Sequence, residues 1–407
     1  MRKVVMMLAL LWSCIQMQGA VKPGIEVLRD SDFATLKGKR VGLITNPTGV
    51  DNELKSTIDI LSEAQGVELV ALFSPEHGVR GDVHAGDKVG EYTDAKTGVK
   101  VYSIYGKIKK PTAEMLSKID VLVYDIQDIG CRSYTFISTM GLAMEACAQA
   151  GKEFVVLDRP NPLGGEKIEG CLTESDCRSF VSQYPIPYIY GMTPGELAIY
   201  MNEEGLIGNK KVKLTVIKMD GWTRDMTFRD TEMPWILPSP HIPSAETALY
   251  YPMSGILGEI NYVSIGVGYT EPFKLFCAEW IDSEKLSERM NGLGLPGVKF
   301  RPIHIKPYYS FGKGQNIQGV EMYVSGARAV QLTMTQFYVM QELAAMYPEH
   351  KAFESADATR FTMFDNVCGT KQIRQLFGKS YRVSDIEEYW HKDEAKFREK
   401  SARYYLY

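Results

Sequence analysis

No run of roughly twenty apolar residues occurs in this 407-residue chain, so no transmembrane helix is expected. No Cys-x-x-Cys pair occurs among its 7 cysteines, which removes the usual zinc and thiol-redox motifs. No Gly-x-Gly-x-x-Gly follows the first strand, and Gly378-Lys379-Ser380 has Ile373 where a phosphate loop needs its first glycine. No nucleotide, dinucleotide or other cofactor is therefore expected. Gly-x-Ser-x-Gly is absent, which excludes the serine hydrolases built on an α/β sheet. There is no polybasic segment, and a net charge of -4 gives no electrostatic pull toward nucleic acid. His77, Asp82, His84 and Asp125 match no ligand spacing, so no metal is expected.

What is present, 45% hydrophobic and 24% charged residues, is the composition of a globular protein. The length exceeds the roughly 250–300 residues that one core holds, so two domains are expected. Residues 1–20 stand apart. Arg2 and Lys3 precede an apolar run over 4–12, and Gly19 and Ala20 close the segment, the pattern of a secretory leader. An exported, periplasmic protein is expected. Leu11-Trp12-Ser13-Cys14 offers an alternative, lipidation at Cys14, although Trp12 is bulky for a cleavage box. Cys131, Cys147, Cys171, Cys177, Cys277 and Cys368 are expected as buried free thiols, with a Cys171–Cys177 bridge the alternative.

Apolar runs over 40–46, 67–73, 99–105, 121–124, 154–157 and 213–219 read as strands buried on both faces. Helical patterns over 54–64 and 138–150 lie between them, the second stopped by Gly151. Thr193-Pro194-Gly195-Glu196 is a capping box that starts a helix running to about residue 203. This alternation predicts an α/β fold: a Rossmann-like, doubly wound parallel sheet over 21–235. Residues 236–407 read as a smaller α+β C-terminal domain closing a cleft. It has a helix over 333–346 and a last one starting at a second capping box, Ser384-Asp385-Ile386-Glu387.

Open parallel sheets bind ligands beyond the carboxyl ends of their strands. Those ends carry Asn46; then Ser74, Pro75, Glu76, His77, Gly78 and Arg80; then Asp125, Gln127, Asp128 and Arg132; then Asp158, Arg159 and Asn161. So many polar groups on one rim predict a functional cleft, although single aspartates can serve only to cap turns or pair with Arg132 and Arg159. Pro75 stiffens the chain before Glu76, and Gly78 and Gly81 permit a tight turn after it. A carboxyl so held is the sharpest candidate for proton transfer. Tyr134, Phe136, Tyr188, Tyr190, Trp222, Trp235, Tyr269 and Phe273 sit in loop-like regions. Most are expected in packing, some as platforms for sugar rings.

At these residues the sequence resembles the exo-β-N-acetylmuramidases of the NamZ type. The match rests on Ser74-Pro75-Glu76-His77-Gly78-Val79-Arg80-Gly81, on the segment from Tyr124 to Thr135, and on Asp158-Arg159-Pro160-Asn161-Pro162-Leu163-Gly164-Gly165. Gly191-Met192-Thr193-Pro194-Gly195-Glu196 and Pro238-Ser239-Pro240 add to it, and it spans nearly the whole chain after the leader. Tyr190, His241 and Val267 stand where the family often has His, Asn and Arg. The resemblance implies release of terminal N-acetylmuramic acid from the non-reducing end of peptidoglycan fragments, without metal or cofactor. It gives Glu76 the catalytic role.

Glycosidases of this kind generally pair a proton donor with a second carboxylate, about 5–5.5 Å away for retention and about 6.5–9.5 Å for inversion. Asp125, Asp128 and Asp158 are the candidates, and attack by the substrate's own acetamido oxygen is the other route. Arg80, Arg132 and Arg159 are expected to meet the lactyl carboxylate of the sugar. Asn46, His77, Gln127, Tyr134, Asn161 and His241 complete the expected binding set. No stable protein partner is expected. A non-catalytic peptidoglycan-binding protein, or a hydrolase of another carboxylated glycan, would fit the same residues.

Overall fold

A computed structural model describes residues 20–81 and 90–407. The segment through residue 19 expected as a leader, including Cys14, and both Asp82 and His84 fall outside the described residues.

Seven strands form the first sheet: β1 (Arg40–Thr45), β2 (Glu68–Ser74), β3 (Tyr92–Thr93), β4 (Lys100–Ser103), β5 (Val121–Asp125), β6 (Glu153–Leu157) and β7 (Lys213–Ile217), in spatial order β3-β4-β2-β1-β5-β6-β7. All pairs are parallel except β3 with β4 at the edge. The chain winds outward from β1 in one direction to β2 and β4, then restarts at β5 and winds the other way. The crevice between the carboxyl ends of β1 and β5 is therefore the switch point, where neighbouring crossovers leave on opposite faces. The central strands are apolar on both sides, and Val41, Leu43, Ile44, Val121, Leu122, Val123 and Tyr124 are all fully buried. Each such side chain stabilises by about 1.5–3 kcal/mol relative to exposure.

The flanking helices include α1 (Gly24–Asp30), α2 (Thr57–Glu63), α3 (Ala113–Ser117), α4 (Phe136–Ala150) and α5 (Pro194–Glu203). Gly151 ends α4 at φ 66°, and Thr193 with Glu196 forms the expected capping box of α5. The second part holds α6 (Ala245–Gly258), α7 (Ser283–Gly292), α8 (Thr335–Met346) and a three-stranded antiparallel sheet. Its strands are β8 (Leu275–Ala278), β9 (Val298–Ile305) and β10 (Ile317–Val324), with β10 in the middle. Its core is continuous with Ile129, Cys131, Leu163, Cys171, Tyr188 and Ile189 of the first part, so the two parts share one apolar seam.

One expectation needs correction. The box at Ser384 does not form. Residues Val383–Asp385 make a 3-10 turn, and the helix beyond is broken into Glu387–His391 and Glu394–Ser401. Burial of Ile386 and Trp390 against the seam, and of Phe397 in the core of the first sheet, sets the chain path there, and tertiary packing overrides the local signal. All six described cysteines are free and buried, as expected, and the alternative Cys171–Cys177 bridge is not formed.

Candidate active site

The loop after β2 begins with Ser74 and Pro75 and turns sharply, the Gly78 amide donating to the Pro75 carbonyl at 3.3 Å. His77 and Gly78 both lie in the left-handed region, at φ 72° and 83°. A non-glycine residue there stores strain, which clusters at functional sites. The turn leaves Glu76 partly exposed between two donors. The Tyr105 hydroxyl, just beyond β4, donates to Oε1 at 2.8 Å. The Thr135 hydroxyl donates to Oε2 at 3.1 Å. Thr135 is the first residue before α4, yet its side chain makes no capping bond to that helix. Burial and the Glu76 carboxylate push the Tyr105 phenol well above its ordinary pKa, so it remains a donor.

Across the seam stands His241, half-buried, its Nε2 2.8 Å from the Tyr309 hydroxyl. Burial, and then the nearby His77, lower its pKa below the ordinary imidazole value, so it is neutral at neutral pH. Tyr134 packs edge-on against Phe136 and Tyr251. Its buried hydroxyl, beside Ser239, has no well-aligned partner. Among the described residues, three more buried polar atoms lack partners at the switch point: Asn46 Nδ2, Gln127 Oε1 and Asp128 Oδ1. Native proteins satisfy the large majority of such atoms, with protein groups or ordered water.

The three candidate aspartates differ sharply. Asp125 is fully buried and held by Arg159 Nε at 2.5 Å and Nη2 at 3.0 Å, and by the Thr57 hydroxyl at 2.5 Å. Asp158 accepts from the Thr193 hydroxyl and the Gly195 amide, both at 2.7 Å, and from the Tyr407 hydroxyl at 2.8 Å. It fastens α5 and the chain's last residue to β6, and burial raises its pKa to about 7. Neither is available as a second catalytic carboxylate. Asp128 accepts from the Tyr190 hydroxyl and the Gly130 amide through one oxygen only. Burial raises its pKa to about 6.

The three arginines are bonded within the protein. Arg80 forks onto Asp94, with Nε and Nη2 each at 3.0 Å, and also reaches Asp59. Arg159 is committed to Asp125 and the Val50 carbonyl. Arg132 is buried and donates to the carbonyls of Cys171, Ile186, Val367 and Cys368, tying the first part to the second. All three therefore bond to the protein, Arg132 and Arg159 in the interior and Arg80 at the surface. Gln127 and Asn161 also brace loops, through Pro160 and Met192 carbonyls. Among the aromatics, Phe136, Tyr188, Tyr190, Trp222 and Phe273 are buried in packing. Tyr105 and Thr135 were missed as site residues, although one follows a strand and the other precedes a helix on the same rim.

Two family models, exo-β-N-acetylmuramidase NamZ N-terminal and C-terminal, match residues 41–246 and 249–407. The chain belongs to the NamZ exo-β-N-acetylmuramidase family. A peptidoglycan β-N-acetylmuramidase NamZ of Bacillus subtilis (strain 168) is 46% identical over 387 residues, 95% of this chain and 91% of that one. A crystal structure of a DUF1343 family protein from Bacteroides fragilis NCTC 9343 is 57% identical with a TM-score of 0.92, covering 95% of this chain and 99% of that one. A second from the same organism is 27% identical with a TM-score of 0.74 at the same coverage. The two-part NamZ match takes in the Glu76 loop and the His241 loop within the first model, and the Tyr309 loop within the second.

Proposed function

We propose that this chain is an exo-acting glycosidase that releases N-acetylmuramic acid from the non-reducing end of peptidoglycan fragments, with Glu76 transferring the proton. Membership in the NamZ family supports the reaction. The observation that carries the residue assignment is the seat of Glu76: both its oxygens accept from hydroxyls, at the carboxyl edge of a parallel sheet, on a strained loop. A carboxyl oriented in this way can protonate a glycosidic oxygen and then activate water. Asp128 is the aspartate best suited to assist, since one of its oxygens is unpaired. Neutral His241 and the Tyr134 hydroxyl can hydrogen-bond the sugar.

A muramyl-terminated disaccharide incubated with the enzyme should yield free N-acetylmuramic acid, identified by mass spectrometry. From longer glycans it should appear one residue at a time. Internal cleavage, or tight binding with no sugar released from about pH 5 to 8, would refute this reading. Arg2-Lys3 and the apolar run after them support action in the periplasm. N-terminal sequencing of the secreted protein tests this, and a chain retaining Met1 would contradict it.

A further inference from the structure

Tyr308 and Tyr309 are consecutive but serve different sides of one loop. Tyr309 bonds His241, which neighbours His77. Tyr308 lines an open cavity of about 930 Å³ with Tyr269, His304, Lys306, Lys313 and Asn316. The cavity wall at Tyr308 is thus joined through one peptide bond to Tyr309, which bonds His241. The volume lies within the roughly 300–1,000 Å³ usual for small-ligand sites.

The chemistry of the cavity is specific. Tyr308 is 70% exposed, and its ring runs nearly parallel to that of Tyr269, 16° apart at 6.4 Å between centroids. Lys306 and Lys313 are exposed, and neither forms an ion pair among the described residues. Exposed tyrosine faces with uncompensated ammonium groups suit a ligand that has flat apolar faces and carboxylates. The loop is also held in place. The Tyr308 amide donates to the Gly268 carbonyl at 2.8 Å, and the Gly314 amide to Pro307 at 2.9 Å. Gly268 sits at φ 96°, and a Cβ there would meet the Tyr309 carbonyl oxygen at 2.0 Å, so only glycine allows this approach.

We propose that this cavity is a subsite for the glycan on the leaving-group side of the scissile bond. A sugar ring lies on Tyr308, and Lys306 and Lys313 meet the lactyl carboxylate of the next muramic acid. The inference rests on the glycosidase reading, and the enzyme would then favour longer strands over disaccharides.

The test compares kcat/KM for a peptide-free tetrasaccharide of alternating N-acetylmuramic acid and N-acetylglucosamine with that for the muramyl-terminated disaccharide. The wild type should prefer the tetrasaccharide. Tyr308→Ala, and separately the double variant Lys306→Gln with Lys313→Gln, should each lower that preference about tenfold through KM, the loss expected of one stacking or charge-assisted contact. A ratio unchanged in both variants overturns the subsite. Should the wild type release no sugar from either substrate, the glycosidase reading fails instead. Calorimetric titration with the tetrasaccharide then decides the subsite, and equal affinity of wild type and Tyr308→Ala overturns it.

Discussion

The Thr135 hydroxyl lies 3.1 Å from Glu76 Oε2 and makes no bond to the helix that it heads. Threonine before a helix ordinarily caps it, and losing such a cap costs about 1 kcal/mol. Here the side chain orients a carboxylate on a neighbouring loop. Thr135→Val should therefore cost less than about 0.5 kcal/mol in urea denaturation, because no cap is lost. It should lower kcat roughly tenfold while KM stays nearly unchanged, as expected when the proton-transferring carboxylate loses its orientation and no substrate contact is lost. Tyr105→Phe should act on kcat in the same sense. A variant that is destabilised but fully active would assign Thr135 to folding alone.

Arg132 gives the opposite expectation. Its guanidinium bonds four carbonyls from both parts of the chain. Arg132→Met leaves those buried acceptors unsatisfied, at about 1–3 kcal/mol each before relaxation, so a loss of at least about 3 kcal/mol is expected. Arg132→Lys cannot restore the planar fork and should also destabilise. Both are measured by chemical denaturation. A stable Arg132→Met protein whose only defect is a raised KM would return Arg132 to substrate binding.

Asp128 should make stability depend on pH. Burial raises its folded pKa to about 6, above the ordinary aspartate value of 3.8. The folded state therefore binds the proton more tightly than the unfolded chain. Below about pH 4 both forms are protonated and no penalty applies. As pH rises from there through about 6 the penalty accrues, reaching on the order of 2–3 kcal/mol above that. Asp128→Asn should flatten this part of the decline relative to wild type when melting is followed from pH 4 to 7. Parallel profiles for the two proteins would show that Asp128 is ionised without penalty.

Much of the frame was legible in the sequence, because the interiors of β1, β2, β5 and β6 are nearly continuous apolar runs and because Gly151 and Thr193 punctuate helices. The strand-end rule placed Glu76 on the rim for the same reason. The arginines were less legible. Position along the chain gives no sign that Arg132 turns inward to carbonyls near residues 171, 186 and 368, since those meet it only through tertiary packing. The partners of Glu76 escaped notice because a tyrosine after a strand and a threonine before a helix each have an ordinary local explanation. The broken helix after residue 383 shows the same limit, with the buried Trp390 prevailing over a capping pattern.

The most direct measurement is the turnover of Glu76→Gln on the muramyl-terminated disaccharide. Glutamine keeps the shape of the side chain and still accepts hydrogen bonds, but it cannot transfer the proton. The expected result is a fall in kcat of about 10²–10⁴-fold, with substrate binding and melting temperature retained. Wild-type turnover in this variant would contradict the assignment of Glu76.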